Sequence, residues 1–98
     1  MEIEKTREES KLVIKLKGRL DTTSAPDLEK EIAEGVDGVT ELVIDMHELD
    51  YISSAGLRVL LKAQRVMNDN GRMVVTGAGP VILEIFEVTG FADILTIE

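Results

Sequence analysis

The run Leu42-Val43-Ile44-Asp45, followed by Met46-His47-Glu48-Leu49-Asp50-Tyr51-Ile52 and then Ser53-Ser54-Ala55-Gly56-Leu57, decides how this chain is read. Its first part is a short continuous apolar stretch, the pattern of a strand buried on both faces. Met46–Ile52 has no regular period and reads as a loop. Beyond it Leu57, Leu60, Leu61 and Met67 recur at helical spacing, widened by Val59, Ala63 and Val66, while Arg58, Lys62, Arg65 and Asp69 descend the opposite face. Ser53 or Ser54 suits the cap of this helix, and Asn70-Gly71 suits its end. A buried strand that feeds an amphipathic helix through a small polar junction is the repeating unit of an α/β sheet.

The flanks extend the same pattern. Upstream, Lys11–Leu20 alternates, with Leu12, Ile14, Leu16 and Gly18 on one side and Lys11, Val13, Lys15 and Lys17 on the other. That is a half-buried strand with a wet face. Met1–Thr6 alternates weakly, and Glu8–Ser10 serves as the turn of a hairpin between the two. Thr22, Thr23 or Ser24 is placed to cap a helix over Ser24–Glu34, with Pro26 in its first turn and Gly35 and Gly38 at its end. Downstream, Arg72–Thr76 repeats the buried-strand pattern, Gly77–Pro80 is a turn, and Val81–Val88 is a last short helix ended by Gly90. The order strand, strand, helix, strand, helix, strand, helix predicts an α/β fold. Its sheet is mixed but mostly parallel, of four to five strands, with helices packed on it and right-handed crossovers.

Ninety-eight residues are expected to form one domain, residues 1–98, with no internal repeat or linker. A chain of this length buries roughly two-thirds of its unfolded surface, enough for a core without staples. The chain has no cysteine, which excludes disulfides, thiolate metal sites and thiol nucleophiles together. No apolar stretch approaches the roughly 20 residues that cross a bilayer, and the first ten residues are polar and mixed in charge. A cytoplasmic protein without direct membrane insertion is therefore expected. Nineteen acids against eleven bases give a net charge of −8, which repels nucleic acid and anionic lipid and favours a protein partner with a basic face.

In parallel sheets, chemistry gathers at the carboxyl ends of the strands. Two junctions there are candidates, Leu49–Gly56 and Gly77–Pro80. The second has neither the Lys-Ser/Thr of a P-loop nor the third Gly of a dinucleotide fingerprint, and reads as a tight turn. In the first, Ser53 and Ser54 are helix caps on spacing alone, and Ala55 and Gly56 allow close packing. His47 is the only histidine, without a Cys or a spaced partner, and reads as a surface residue rather than a ligand or base. The carboxylates are scattered, and none is paired for acid–base work. No metal, no cofactor and no catalytic residue is expected.

The same junction carries a resemblance. Leu42–Asp45 with Leu49-Asp50-Tyr51-Ile52-Ser53-Ser54-Ala55-Gly56-Leu57 and Val59-Leu60-Leu61 is similar to the signature of STAS domains, the anti-sigma-factor antagonists and their relatives on sulfate transporters. Upstream, Gly18-Arg19-Leu20-Asp21 with Ala25-Pro26 and Leu28 resembles a second motif of that family. Downstream, Met73–Thr76 and Thr89-Gly90-Phe91 with Ile94 also fit. The resemblance spans nearly the whole chain and implies the STAS fold. In the antagonists the signature reads Asp-Ser-Ser-Gly or Asp-Ser-Thr-Gly, and the serine after the Asp is phosphorylated. Ser54 falls on that serine and Gly56 on the glycine, while Ser53 stands where the Asp would be and Ala55 replaces the second hydroxyl residue. Ser53 thereby becomes a second acceptor to consider.

What the resemblance implies is a non-enzymatic switch. With Ser54 free, the domain would bind an anti-sigma factor that is itself a serine kinase. With Ser54 phosphorylated it would release it, and a PP2C-type phosphatase would reset it. Asp21, Ser53, Ser54, Ala55, Gly56 and Arg58 would form the partner surface of a domain that is monomeric when free. Asp21 also has a plain role on its own sequence, since an acid just before Thr22-Thr23-Ser24 serves a turn or a helix start. Arg58, Lys62 and Arg65 likewise read as a solvated stripe. A second function within the same fold is a subunit of a transport complex or a stress-sensing scaffold, to which Ser53 in the acidic place lends weight. A small nucleotide-binding enzyme is the third, opposed by the charge and the missing phosphate-loop lysine.

Overall fold

The computed structural model describes residues 1–98. Strands β1 (Glu2–Glu8) and β2 (Lys11–Leu20) form an antiparallel hairpin from Glu2 opposite Lys17 to Glu8 opposite Lys11, with Glu9 in the left-handed region at φ +54°. Then follow α1 (Ala25–Gly35), β3 (Glu41–Ile52), α2 (Ser54–Asn70), β4 (Arg72–Thr76) and α3 (Pro80–Thr89). A 3₁₀ turn over Phe91–Asp93 leads to a terminal segment in which Ile97 bridges Val75 in parallel. The sheet order is β1-β2-β3-β4, with β2, β3 and β4 mutually parallel. The α/β architecture, the mixed sheet and the three helices are those expected from the sequence.

Because the strand order is monotonic, right-handed crossovers place α1 and α2 on the same side of the sheet. One core of 23 residues results. It joins Leu12, Ile14 and Leu16 of β2 with Leu42, Ile44 and Met46 of β3, Met73 and Val75 of β4, Leu28 and Ile32 of α1, Leu57, Leu60 and Met67 of α2, and Ile82 and Phe86 of α3. The expectation that β3 is buried on both faces is corrected here. Val43 and Asp45 are only half-buried, whereas β4 is buried on both faces as expected, with Val74 2% exposed on the face opposite Met73 and Val75. On that face Val13, Val43 and Val74 are register neighbours, flanked by Lys15 beside Asp45 and by Glu41 beside Arg72.

A second correction concerns Met46–Ile52, read as a loop but forming the second half of β3. The pairing with β2 is interrupted twice, between Lys15 and Lys17 and between Gly18 and Arg19, and each time β3 contributes one residue more than its partner. Buried positions on β3 therefore run Leu42, Ile44, Met46, Leu49, Ile52, with spacings of two, two, three and three. Such bulges break the period of two, which is why the alternation was not legible in the sequence.

The end of α1 is tied to β1 by Arg7. Its guanidinium donates to the carbonyls of Glu9 (2.9 Å), Asp37 (2.9 Å) and Gly35 (3.4 Å). Gly71, at φ +156°, lets the chain leave α2 so close to Thr40 that a Cβ there would lie 2.0 Å from the Thr40 carbonyl oxygen.

Candidate functional site

The carboxyl ends of β2 and β3 end side by side. Leu20 and Ile52 are register partners, both buried, and the backbone N–H of Ser53 donates to the Leu20 carbonyl at 2.8 Å. Each strand then turns directly into a helix, so the β2–α1 turn and the start of α2 share one edge.

At the start of α2 the two serines divide the work. Ser53 is the N-cap, in extended conformation, and its Oγ accepts a bond from the N–H of Gly56 at 3.3 Å. This satisfies one of the unpaired donors of the first turn. Ser54 is the first helical residue; its hydroxyl is exposed and makes no hydrogen bond within the protein. Gly56 is buried where a Cβ would meet Leu20 Cγ at 2.7 Å and Ile52 Cγ1 at 2.9 Å. Its absent side chain is what lets α2 begin directly against the strand ends. Ala55 is half-buried against the same core.

Asp21 holds the β2–α1 turn. Its Oδ1 accepts from the N–H groups of Thr23 (3.0 Å) and Ser24 (3.1 Å) and from the Ser24 hydroxyl. The Ser24 N–H bond is the main reason that its carboxyl sits below the usual range; partial burial opposes this, while the Ser24 hydroxyl, the Thr23 N–H and Arg19 add to it. Of the three candidate caps for α1, Ser24 takes the N-cap position, but its hydroxyl faces backwards. Its one proton is shared between the Arg19 carbonyl, at 2.7 Å, and the longer contact to Asp21 Oδ1, at 3.2 Å, and it accepts from the Asp21 N–H at 2.9 Å. The fold thus brings Asp21 to the edge that carries Ser53 and Ser54. Its carboxylate is engaged by its own turn and bonds neither serine.

Arg58, one turn along α2 from Ser54, is exposed and pairs with no carboxylate. It lines a cleft between the first turns of α1 and α2 together with Thr22, Pro26, Ala55, Glu29 and Lys62. Lys62 reaches across that cleft to Glu29 at 2.7 Å. An apolar groove continues from it between Ile32, Ala33, Val36, Ala63 and Val66.

Two arrangements were not foreseen. The Arg19 guanidinium stacks on Tyr51, 4.3 Å from the ring centroid, and lies 3.9 Å from Asp21. The second bulge sets this pairing of Arg19 with Tyr51, so no fixed sequence spacing announces it. His47 is exposed, as expected. Its Nδ1 lies 2.7 Å from Asp45 Oδ1, and Gly77, at φ +74°, packs so closely on the ring that a Cβ would come within 2.3 Å. Burial pushes the Asp45 carboxyl up, but the bonds to His47, its charge and nearby Lys15 together bring it below the usual range. No group of three or more His, Asp or Glu side chains is placed to hold a metal ion.

The comparisons with known proteins agree with this architecture. The chain is 41% identical, over 88 residues, to the proposed anti-sigma factor antagonist BtrV of Bordetella bronchiseptica, covering 88% of this chain and 76% of that protein. It is 26% identical over 97 residues to the anti-sigma-B factor antagonist of Staphylococcus aureus, covering 97% and 90%. Among solved structures it superposes on the Bacillus anti-sigma factor antagonist SpoIIAA. For the unphosphorylated form the TM-score is 0.79 at 19% identity, over 99% of this chain and 87% of that one. For the phosphorylated form it is 0.78, also at 19%, over 99% and 91%. Residues 2–98 match the STAS domain family, and with the sheet, the three helices and the Ser53–Gly56 junction in place, the chain belongs to that family.

Proposed function

We propose that this chain is an anti-sigma-factor antagonist, a protein-interaction switch set by phosphorylation of Ser54. The observation that carries the reading is the division between the serines: the Ser53 hydroxyl is bound in the helix cap, and the Ser54 hydroxyl is exposed and free. The names of the relatives point the same way. With Ser54 unmodified, the edge formed by Asp21, Ser53, Ser54, Ala55, Gly56 and Arg58 docks on an anti-sigma factor that is a serine kinase. The kinase brings ATP and magnesium. The Ser54 Oγ bonds to the γ-phosphorus, the bond to ADP breaks, and the hydroxyl proton passes to a base of the kinase. A PP2C-type phosphatase returns the hydroxyl by hydrolysis, with inorganic phosphate leaving.

The phosphoryl group adds a charge of about −1.5 to −2. Inside a docked interface that charge and bulk favour release. At the start of α2 it is welcomed by about 0.3–1 kcal/mol, so the domain keeps its fold and only its binding changes. The domain supplies a hydroxyl and a surface, and the catalysis belongs to its partners.

The test is intact-mass measurement after incubation with the host's anti-sigma kinases and Mg-ATP, for the parent chain, Ser54→Ala and Ser53→Ala. One added phosphate, lost in Ser54→Ala and kept in Ser53→Ala, is the expected result. A phosphate that persists in Ser54→Ala moves the site, with Ser53 next in line. No phosphate with any kinase overturns the switch and favours a transport or scaffold subunit, for which Ser53 in place of the usual acid is the supporting observation.

A further inference from the structure

The cation that answers a phosphate on Ser54 is supplied by the same helix. Ser54 and Arg58 are both exposed and stand four residues apart in α2, a spacing that makes side chains neighbours. Between them Gly56 and Leu57 are buried and Ala55 ends in a methyl group, so no other side chain of the helix intervenes. An anion one turn before a cation is the favourable order along a helix. The other cation of the cleft, Lys62, is engaged by Glu29, and Arg19, at the end of β2, by Tyr51 and Asp21. Arg58 has no carboxylate partner, and its planar fork matches phosphate oxygens two at a time.

We propose that Arg58 captures the phosphoryl group of phospho-Ser54 within the domain. The switch then acts twice. Phosphorylation adds negative charge to the docking edge and also withdraws Arg58, the one unpaired cation there, from an acidic group of the partner. This rests on the reading of Ser54 as the modified residue.

The experiment installs phosphoserine at position 54 of the full chain by codon reassignment and follows the second ionisation of the phosphate by phosphorus NMR. The parent, Arg58→Gln, Arg58→Lys and, as a control on the same helix, Arg65→Gln are compared. That ionisation falls at about 6 in an unpaired phosphoserine. Glu29 and Lys62 line the same cleft, Asp21 lies in the adjoining β2–α1 turn, and all three are common to the four proteins, so their fields cancel in the comparison. The expected result is a phosphate pKa lower in the parent than in Arg58→Gln by about half a unit, roughly threefold in proton affinity. The gap should close at ~1 M salt, where screening reaches about 3 Å. Arg58→Lys should fall between the two, and Arg65→Gln should follow the parent. Coincident titrations of the parent and Arg58→Gln would overturn the capture. No kinase is involved, so that failure leaves phosphorylation of Ser54 standing. Failure of every kinase to modify Ser54 leaves this measurement valid.

Discussion

The Ser53 N–H donates to the Leu20 carbonyl at 2.8 Å, and this single bond joins the two strand ends from which α1 and α2 start. Everything at the candidate site follows from that junction. It sets Asp21 on the same edge as the serines and leaves α2 no room for a side chain at Gly56.

Gly56→Ala tests that closeness. Its Cβ would fall within 3 Å of both Leu20 and Ile52, whose side chains are locked in the core. Overpacking of this kind costs about 1–3 kcal/mol. The midpoint of urea unfolding should fall while its slope stays unchanged.

The two serines should separate stability from modification. Ser53→Ala removes the cap of α2 and should cost ~1 kcal/mol in urea unfolding. Ser54→Ala removes an exposed hydroxyl with no partner, and its stability should stay within about 0.5 kcal/mol of the parent. Equal losses in both variants would contradict the assignment of Ser53 as the cap.

Gly71→Ala strikes a different constraint. The residue combines φ +156° with a Cβ position 2.0 Å from a backbone oxygen that cannot swing away. Backbone strain and the clash together should cost roughly 2–4 kcal/mol. Thermal unfolding of this variant should begin well below that of Gly56→Ala, where the obstacle is only side chain.

Asp21 should make stability depend on pH in the acid range. Its folded carboxyl lies below the unfolded one, so the stabilisation is complete above the unfolded value of ~3.9 and is lost as pH falls through the lower folded value. Asp21→Asn keeps an acceptor oxygen but no charge. It should be less stable than the parent at neutral pH, and the two unfolding curves should converge as the solution is acidified through that window. A constant gap at all pH values would mean that geometry, not charge, is what Asp21 contributes.

The sequence made some of this legible and hid the rest for physical reasons. α2 was readable because Leu57, Leu60 and Met67 fall on one helical face and Gly71 ends it. β2 was readable from its alternation. The length of β3 was not, because its two extra residues destroy the period that identifies a strand. The one-sided burial of β3 was also concealed. Val43 is apolar on the less covered face, so the run looks buried on both sides. At the site, the two serines were visible as a pair, but which one caps the helix depended on where β3 ends. The stacking of Arg19 on Tyr51 depended on the bulges in the same way.

Those bulges have a consequence for the parity of β3. Each extra residue inverts the facing of everything after it, and two of them restore it, so that Ile52 returns to the core side on which Leu42 began. An odd count would turn Ile52 outward and put the Ser53 N–H out of phase with the Leu20 carbonyl. A chain shortened by one residue between His47 and Asp50 should therefore lose both its stability and the accessible Ser54. One shortened by two should keep its serines in phase, so that this strand tolerates change in length only in even steps.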